Sequence, residues 1–519
     1  MPITPANDAR LAELVGALSV AADLGMGQPL EQGLRICLLA LELGRRLGCD
    51  AAARSDIYYV ALLQHLGCTA NAPEMAQWTG GDEIAFRSRA VVLTHASAAE
   101  SVAALLRLTG ADRPPAVRAR LRVAALVEGN ARVERLVALQ CEAAEGLAAW
   151  LGMSGGVRAG LAHVYEQWDG SGAPDGVEGP EVAPAQRVVT VAHDAVASAR
   201  LRGVRAALEV VARRRGVAYD PEVCDALLSD SGLLLRQPGE GDAWERLLDA
   251  EPAPVRTVGE AGLDGVARAF ADFTDLKVPL LMGHSRGVAS LAEVAARGLG
   301  LDAGEVAGVR RAALLHDLGR LGVANGIWEK PGALDTAERE RVRLHPYYTE
   351  RILARASAFA RAATCAASHH ERLDGSGYHR GVGATALPLA ARVLQAADAY
   401  DAMTHARPQR RPLGPDRARA ELRAGVENGR LDQRAVNAVL EAAGARPVRV
   451  AEAWPAGLSD REVDVLRLLA RGRTNRQIAT ELVIAPKTVG RHVENLYAKT
   501  GLSTRAGAAL FCVEHDLLD

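Results

Sequence analysis

The chain is 519 residues long, 49% hydrophobic but only 4% aromatic, with a formal net charge of −2. That length supports two or three domains with substantial cores, and abundant alanine with few aromatics favours closely packed helices. Near-neutral charge excludes a broadly basic nucleic-acid coat, so any DNA contact must be local to one module. The seven cysteines are scattered without a Cys-x-x-Cys pair, which predicts free thiols in a reducing cytoplasm. No apolar run is long enough to span a bilayer, and Met1 to Arg10 lacks a basic region followed by a hydrophobic one, so no membrane partner is expected.

In chain order, the first half carries Leu43-Gly44-Arg45-Arg46-Leu47-Gly48-Cys49-Asp50, then Leu62-Leu63-Gln64-His65-Leu66-Gly67, Trp168-Asp169-Gly170-Ser171-Gly172 and Val191-Ala192-His193-Asp194. The alternating piece from Arg187 to Val191 reads as buried helix. Turn-rich Gln237-Pro238-Gly239-Glu240-Gly241 and Pro252-Ala253-Pro254 mark a boundary. The second half then repeats the first. Arg297-Gly298-Leu299-Gly300-Leu301-Asp302 parallels the first run, and Leu314-Leu315-His316-Asp317-Leu318-Gly319 falls 252 positions after the second. Leu373-Asp374-Gly375-Ser376-Gly377 and Ala396-Ala397-Asp398-Ala399 complete the correspondence. Clean strand patterns are few, so the expected fold class is all-α.

The two copies differ in their donors. The second holds His284, His316, Asp317, His345, the pair His369-His370, and Asp398, in a chain with only 13 histidines. A histidine and an aspartate side by side at the end of an apolar helix can hold a divalent transition metal, and the carboxylate can bridge two ions. A two-metal cluster polarises a phosphoryl oxygen and supplies hydroxide at neutral pH. In the first copy His284 becomes Gln32, His316 becomes Gln64, Asp317 becomes His65, His345 becomes Gln140, and His369-His370 becomes Val164-Tyr165. Glutamine keeps roughly the size and hydrogen bonding of histidine but is a poor metal ligand. The first copy is therefore expected to fold and not to catalyse, with His163, His193 and Asp194 as remnants.

Through His284-Ser285-Arg286, the His316 to Gly319 step, His345-Pro346, His369-His370-Glu371-Arg372-Leu373-Asp374-Gly375-Ser376-Gly377-Tyr378, Ala397 to Thr404 and Arg407-Pro408, the stretch from His284 to Arg410 resembles the HD-GYP family of HD phosphohydrolases. The resemblance implies an all-helical phosphodiesterase with two or more metals, most often opening cyclic di-GMP. It makes His284, His316, Asp317, His345, His369, His370 and Asp398 the ligands, with Asp317 bridging. Asp317 and Arg320 would then be catalytic, and Arg407 and Arg410 would hold substrate phosphates, which suits the guanidinium fork. Four departures stand out. Arg320 occupies the place of a usual lysine and cannot readily give up a proton; His379 replaces the proline of Gly-Tyr-Pro; Gln409 replaces a common tyrosine; and Leu280 stands where members with a third metal carry glutamate. Two divalent ions are therefore expected, iron or manganese rather than zinc.

The end of the chain has its own pattern. Ser459 or Asp460 can cap a first helix in which Val463, Leu466 and Leu469 recur every three positions, and Gly472 ends it. Asn475 to Leu482 gives a second helix, Val483-Ile484-Ala485 a turn, and Pro486 suits the first position of a third. Val489, Val493 and Leu496 then face inward, leaving Lys487, Thr488, Gly490, Arg491, His492 and Asn495 outward, where a major groove would lie. With Leu458 to Val463, Ala470 to Ala479 and Lys487 to Leu496, residues 457–519 resemble a LuxR-type helix-turn-helix. Lys487 and Arg491 would touch bases or phosphates, and Arg476 and Lys499 the backbone. A homodimer is expected from paired half-sites, through the helix from Thr504 to His515.

The expected organisation is a degenerate HD-type domain at 1–250, a metal-dependent HD-GYP-like domain at 255–445, a linker at 446–456 carrying Pro447 and Pro455, and a small four-helix DNA-binding domain at 457–519. Two readings follow for this cytoplasmic regulator. In one it hydrolyses a cyclic dinucleotide, with DNA as the other partner. In the other the metal site binds a cyclic (di)nucleotide with little or no turnover and biases DNA binding.

Overall fold

Helix boundaries follow from caps that the chain supplies locally. Asp302 and Glu305 form a reciprocal capping box at the start of the helix Ala303–Leu315, satisfying two amides that would otherwise lack partners. Ser459 with Glu462, and Thr474 with Gln477, do the same for the helices Asp460–Ala470 and Asn475–Glu481. Along His284–Gly298 the residues Val288, Ala292, Ala295 and Ala296 are buried, a helical stripe facing the core. The computed structural model describes residues 8–91, 98–111, 113–229, 235, 242–407, 410–448, 454–502, 504–515 and 517. Pro408, Gln409, the turn expected at 237–241 and residues 449–453 of the expected linker lie outside them.

Residues 1–448 form one compact unit and residues 449–519 a second. Within the first, the repeat seen in the sequence is a repeat of structure. The helices Gln32–Arg46 and His284–Gly298 are each 15 residues, and Ala51–Leu63 and Ala303–Leu315 are each 13. Each second helix is followed by a short 3-10 turn, Leu66–Thr69 or Leu318–Gly322. The segment from Arg187 to Val191 lies inside the helix Pro184–Arg202. One hydrophobic core runs through both repeats without a break at 250–255. The seam is reinforced where Ala9–Arg10 pairs antiparallel with Thr257–Val258 and Arg10 bonds Glu251 at 2.7 Å.

The two 3-10 turns are crossed at the same point. A Cβ on Gly319 would lie 2.0 Å from the His345 carbonyl oxygen, and one on Gly67 would lie 1.9 Å from that of Gln140. Backbone therefore touches backbone, and only glycine fits. A Cβ on Gly377 or Gly172 would likewise lie 2.4 or 2.5 Å from the Cα atom of Glu371 or Glu166. Gly319→Ala and Gly67→Ala should each lower unfolding stability by about 3 kcal/mol, the upper end for overpacking, read by denaturant titration.

Candidate metal centre and nucleic-acid interface

The helix Ala303–Leu315 ends at His316, which caps it, and Asp317 then starts the 3-10 turn. Both side chains are fully buried. Thr349 fixes the step, its hydroxyl donating to the His316 carbonyl and accepting from the Gly319 amide, each at 2.9 Å. His345 opens the helix His345–Leu353, His369-His370 follow Ala360–Ala367, and Asp398 lies within Leu389–Thr404. These elements bring all seven donors together.

Their ring orientations are set by the backbone. The Nδ1 atoms of His316, His345 and His369 lie 2.7, 2.6 and 2.6 Å from the carbonyls of Ala313, Val342 and Ala366. Each Nδ1 therefore carries the proton and donates, which leaves Nε2 as a lone pair aimed inward. The Nε2 atoms of His345 and His369 are 3.0 Å apart. Two lone pairs at that distance repel unless a cation lies between them and the remaining donors.

Asp317 divides its carboxylate between two groups. Oδ1 lies 3.4 Å from His345 and 3.6 Å from His369, while Oδ2 lies 2.9 Å from His316, 3.5 Å from His284 and 2.7 Å from Arg320. Both oxygens and His316 Nε2 lack a hydrogen bond of acceptable geometry; the cations nearby are within ion-pair reach but misaligned. Three sets of converging donors result: His345 with His369 and His370, His284 with His316 and Asp398, and His316 with Asp317 and His369. This mixture of imidazole and carboxylate fits divalent transition metals.

Charge follows the same division. Burial opposes the ionised form of Asp317, but Arg320, His316 and His284 outweigh it and hold its carboxyl well below the usual range. Asp398 is likewise held low against burial, chiefly by His284. Burial alone would depress His284; the flanking carboxylates of Asp317, Asp398 and Asp401 lift it to about 10. Burial pushes His345 down to about 4 and His369 and His370 well below their ordinary value.

The three arginines differ in their surroundings. Arg407 Nη2 approaches His284 Nε2 at 3.4 Å and lines a cavity of about 530 Å3 with Val278, Leu281, Ile327, Trp328 and Arg339. Arg320 is buried over the Trp328 ring, 5.1 Å from its centroid. Arg410 instead closes a helix end, donating to the carbonyls of Ala402 at 2.6 Å and Met403 at 3.3 Å, since the last carbonyls of Leu389–Thr404 attract a guanidinium. His379 faces Glu350 at 3.7 Å, and Leu280 is 54% exposed.

Several partners were not singled out from the sequence. Asp401 holds His284 Nδ1 at 2.6 Å; its place one turn after Asp398 on the same helix was the available signal. Glu371 accepts from the amides of Arg380 and Val382, fixing the turn at 380–382. In the first repeat the equivalent Glu166 accepts from Asp175 and Gly176. There His65 Nε2 meets His193 Nε2 at 3.2 Å. His193 Nδ1 donates to Asp194 at 2.8 Å, leaving Nε2 to accept from His65, and Asp194 is bonded by Arg214 and Tyr219.

In the second unit, the helix Pro486–Thr500 buries Val489 and Leu496, with Val493 partly buried beside them. Lys487, Thr488, Arg491 and Asn495 are exposed, as is Arg476 on the preceding helix, while His492 and Gly490 are half-buried. Lys499 is engaged within the unit, donating to the Gly457 carbonyl at 3.0 Å and to Glu462 at 2.7 Å. The helix expected at Thr504 to His515 spans Arg505–Glu514. No helix among the described residues is long and apolar enough to cross a membrane.

Residues 268–435 match the HD domain family, and residues 456–512 match the family of bacterial regulatory proteins of the luxR type. The chain is 31% identical over 417 residues, 80% of its length and 90% of the relative's, to the 3'3'-cGAMP-specific phosphodiesterase 3 of Vibrio cholerae. It is 38% identical over 217 residues, 40% of its length and 56% of the relative's, to the cyclic di-GMP phosphodiesterase response regulator RpfG of Xanthomonas campestris. A crystal structure of a cyclic GMP-AMP-specific phosphodiesterase of V. cholerae superposes with a TM-score of 0.60 at 27% identity, covering 85% of this chain and 99% of that one.

At pH 7 His284 carries a proton that a metal must displace, whereas His345, His369 and His370 are already neutral. Binding of Mn2+ should therefore release about one proton and tighten about tenfold per pH unit between roughly 7 and 9. Calorimetry in buffers of different ionisation enthalpy reads the proton count, and His284→Gln should abolish that release.

Proposed function

Because the chain belongs to the HD phosphohydrolases of the HD-GYP type and carries a luxR-type DNA-binding module, we propose that its second repeat is a divalent-metal phosphodiesterase for cyclic dinucleotides. The observation that carries this reading is the split Asp317 carboxylate, one oxygen facing His345 and His369 and the other facing His284 and His316. That arrangement suits a pair of ions, and the pair would polarise a phosphoryl oxygen and supply the nucleophile.

The protein's own groups complete the site. Carbonyl-anchored Nδ1 protons keep three imidazoles in the ligating tautomer. Arg320 steadies Asp317 and, unlike a lysine, keeps its proton, so it acts as a charge and not as an acid. Arg407, beside His284 and at the cavity wall, is the phosphate clamp. Burial and Arg320 lower its proton affinity, so an incoming phosphate relieves repulsion between the two guanidiniums. Trp328 and the apolar residues around it offer a face for a base. The substrate class is a cyclic dinucleotide, with 3'3'-cGAMP the first to assay because the relative matched over 417 residues is named for it. The first repeat, with glutamines and a His–His hydrogen bond at the donor positions, is a metal-free support, and Lys487, Thr488, Arg491, His492, Asn495 and Arg476 form the DNA-facing surface.

Protein purified without oxygen and loaded with Mn2+ or Fe2+ should linearise 3'3'-cGAMP or cyclic di-GMP, and Asp317→Asn should lose about 10³-fold. Arg491→Ala should leave that rate unchanged while reducing the salt slope for a random-sequence duplex by about one. A metal-loaded parent that opens neither dinucleotide would overturn the reading.

A further inference from the structure

A fully buried carboxylate of the first repeat reaches into the frame of the metal centre. Glu83, the first residue of the helix Glu83–Ala90, has no exposed surface. It accepts from Lys277 Nζ at 2.8 Å, and both its oxygens accept from the Asn325 amide, at 3.1 and 3.0 Å. The Asn325 side chain closes the triangle by donating to the Lys277 carbonyl at 2.5 Å. Beside it Gly326 donates to the Gly81 carbonyl at 3.0 Å, and a Cβ on Gly326 would lie 2.2 Å from that oxygen. The two repeats therefore meet here backbone to backbone, leaving no room for relaxation.

Both anchored segments lead directly to the site. Lys277 ends the helix Glu260–Leu276, and the chain runs from it through Pro279–Leu281 to His284. Asn325 starts the turn Asn325–Trp328, whose Trp328 ring lies under Arg320 at 5.1 Å and against His345 at 5.9 Å. Trp328 also walls the cavity with Val278 and Leu281 from the other anchored segment. An ion pair buried this deeply is poor value as stability alone, since an apolar pair of similar volume is often as stable.

We propose that Glu83 is a positioning residue for the phosphodiesterase site: the metal-free repeat uses it to fix the Asn325–Trp328 wall and the approach to His284. The proposal rests on the functional reading above. It gives the first repeat a task in turnover, that of holding Arg320, Trp328 and the cavity in register.

The test compares two double variants of the full-length chain. Glu83→Leu/Lys277→Met removes both buried charges together, which preserves folding, and leaves the Asn325 amide without an acceptor. Glu83→Gln/Lys277→Met also removes both charges but keeps a carbonyl oxygen for that amide. With bound Mn2+ unchanged, the first should lower kcat on 3'3'-cGAMP or cyclic di-GMP about 10²-fold, as expected for misplaced groups, and the second should stay within tenfold of the parent. Hydrogen exchange over residues 325–328 should quicken in the first only. A leucine variant with parental kcat and parental exchange, or two variants impaired equally, would overturn the proposal. If the parent itself shows no turnover, the functional reading fails, and the exchange comparison alone still decides whether Glu83 holds the wall.

Discussion

Asp317 is an anion placed where water does not reach. Its two oxygens are buried, each faces a different pair of imidazoles, and neither receives an aligned hydrogen bond. Burying a carboxylate without aligned hydrogen bonds is costly even with Arg320 beside it, and lone pairs of His345 and His369 held 3.0 Å apart add to the cost. Divalent metal ions held by these donors would answer both. Much of the second repeat serves this arrangement: Thr349 pins the step before Gly319, helix-end carbonyls orient three rings, and Asp401 holds the fourth.

The first repeat shows the same backbone relieved of that demand. Gln140 crosses Gly67 as His345 crosses Gly319, so the frame is kept. At the place of Asp317 stands His65, which hydrogen-bonds His193 directly, and the neighbouring Asp194 is satisfied by Arg214 and Tyr219. Burial takes His65 down to about 3, consistent with a neutral ring in a sealed interior. The repeated scaffold therefore separates two tasks that one domain would otherwise combine: one copy presents donors, and the other contributes core and a buried anchor.

What the sequence disclosed, it disclosed through contiguity. His316-Asp317 and His369-His370 stand in runs, and the 252-residue offset between Gln64 and His316 is visible by alignment of the chain with itself. The helix-turn-helix was legible for a similar reason, because caps, glycine and proline fall within a few residues of the helices they end or begin. One core holds residues from both sides of the boundary expected at 250–255. Glu83 with Lys277, 194 residues apart, left no local trace: a buried ion pair has no periodicity and depends on which segments happen to meet. Arg410 donates to carbonyls at a helix end and Lys499 to the Glu462 of a capping box, contacts that position in a motif does not disclose.

Paired ions shared by Asp317 are the centre of the proposed chemistry. Anomalous diffraction from crystals of anaerobically prepared, Mn2+-loaded protein tests it most directly. Two peaks are predicted, one among His345, His369 and His370 and one among His284, His316 and Asp398, with Asp317 between them. A single peak, or ions bound away from these residues, would contradict it.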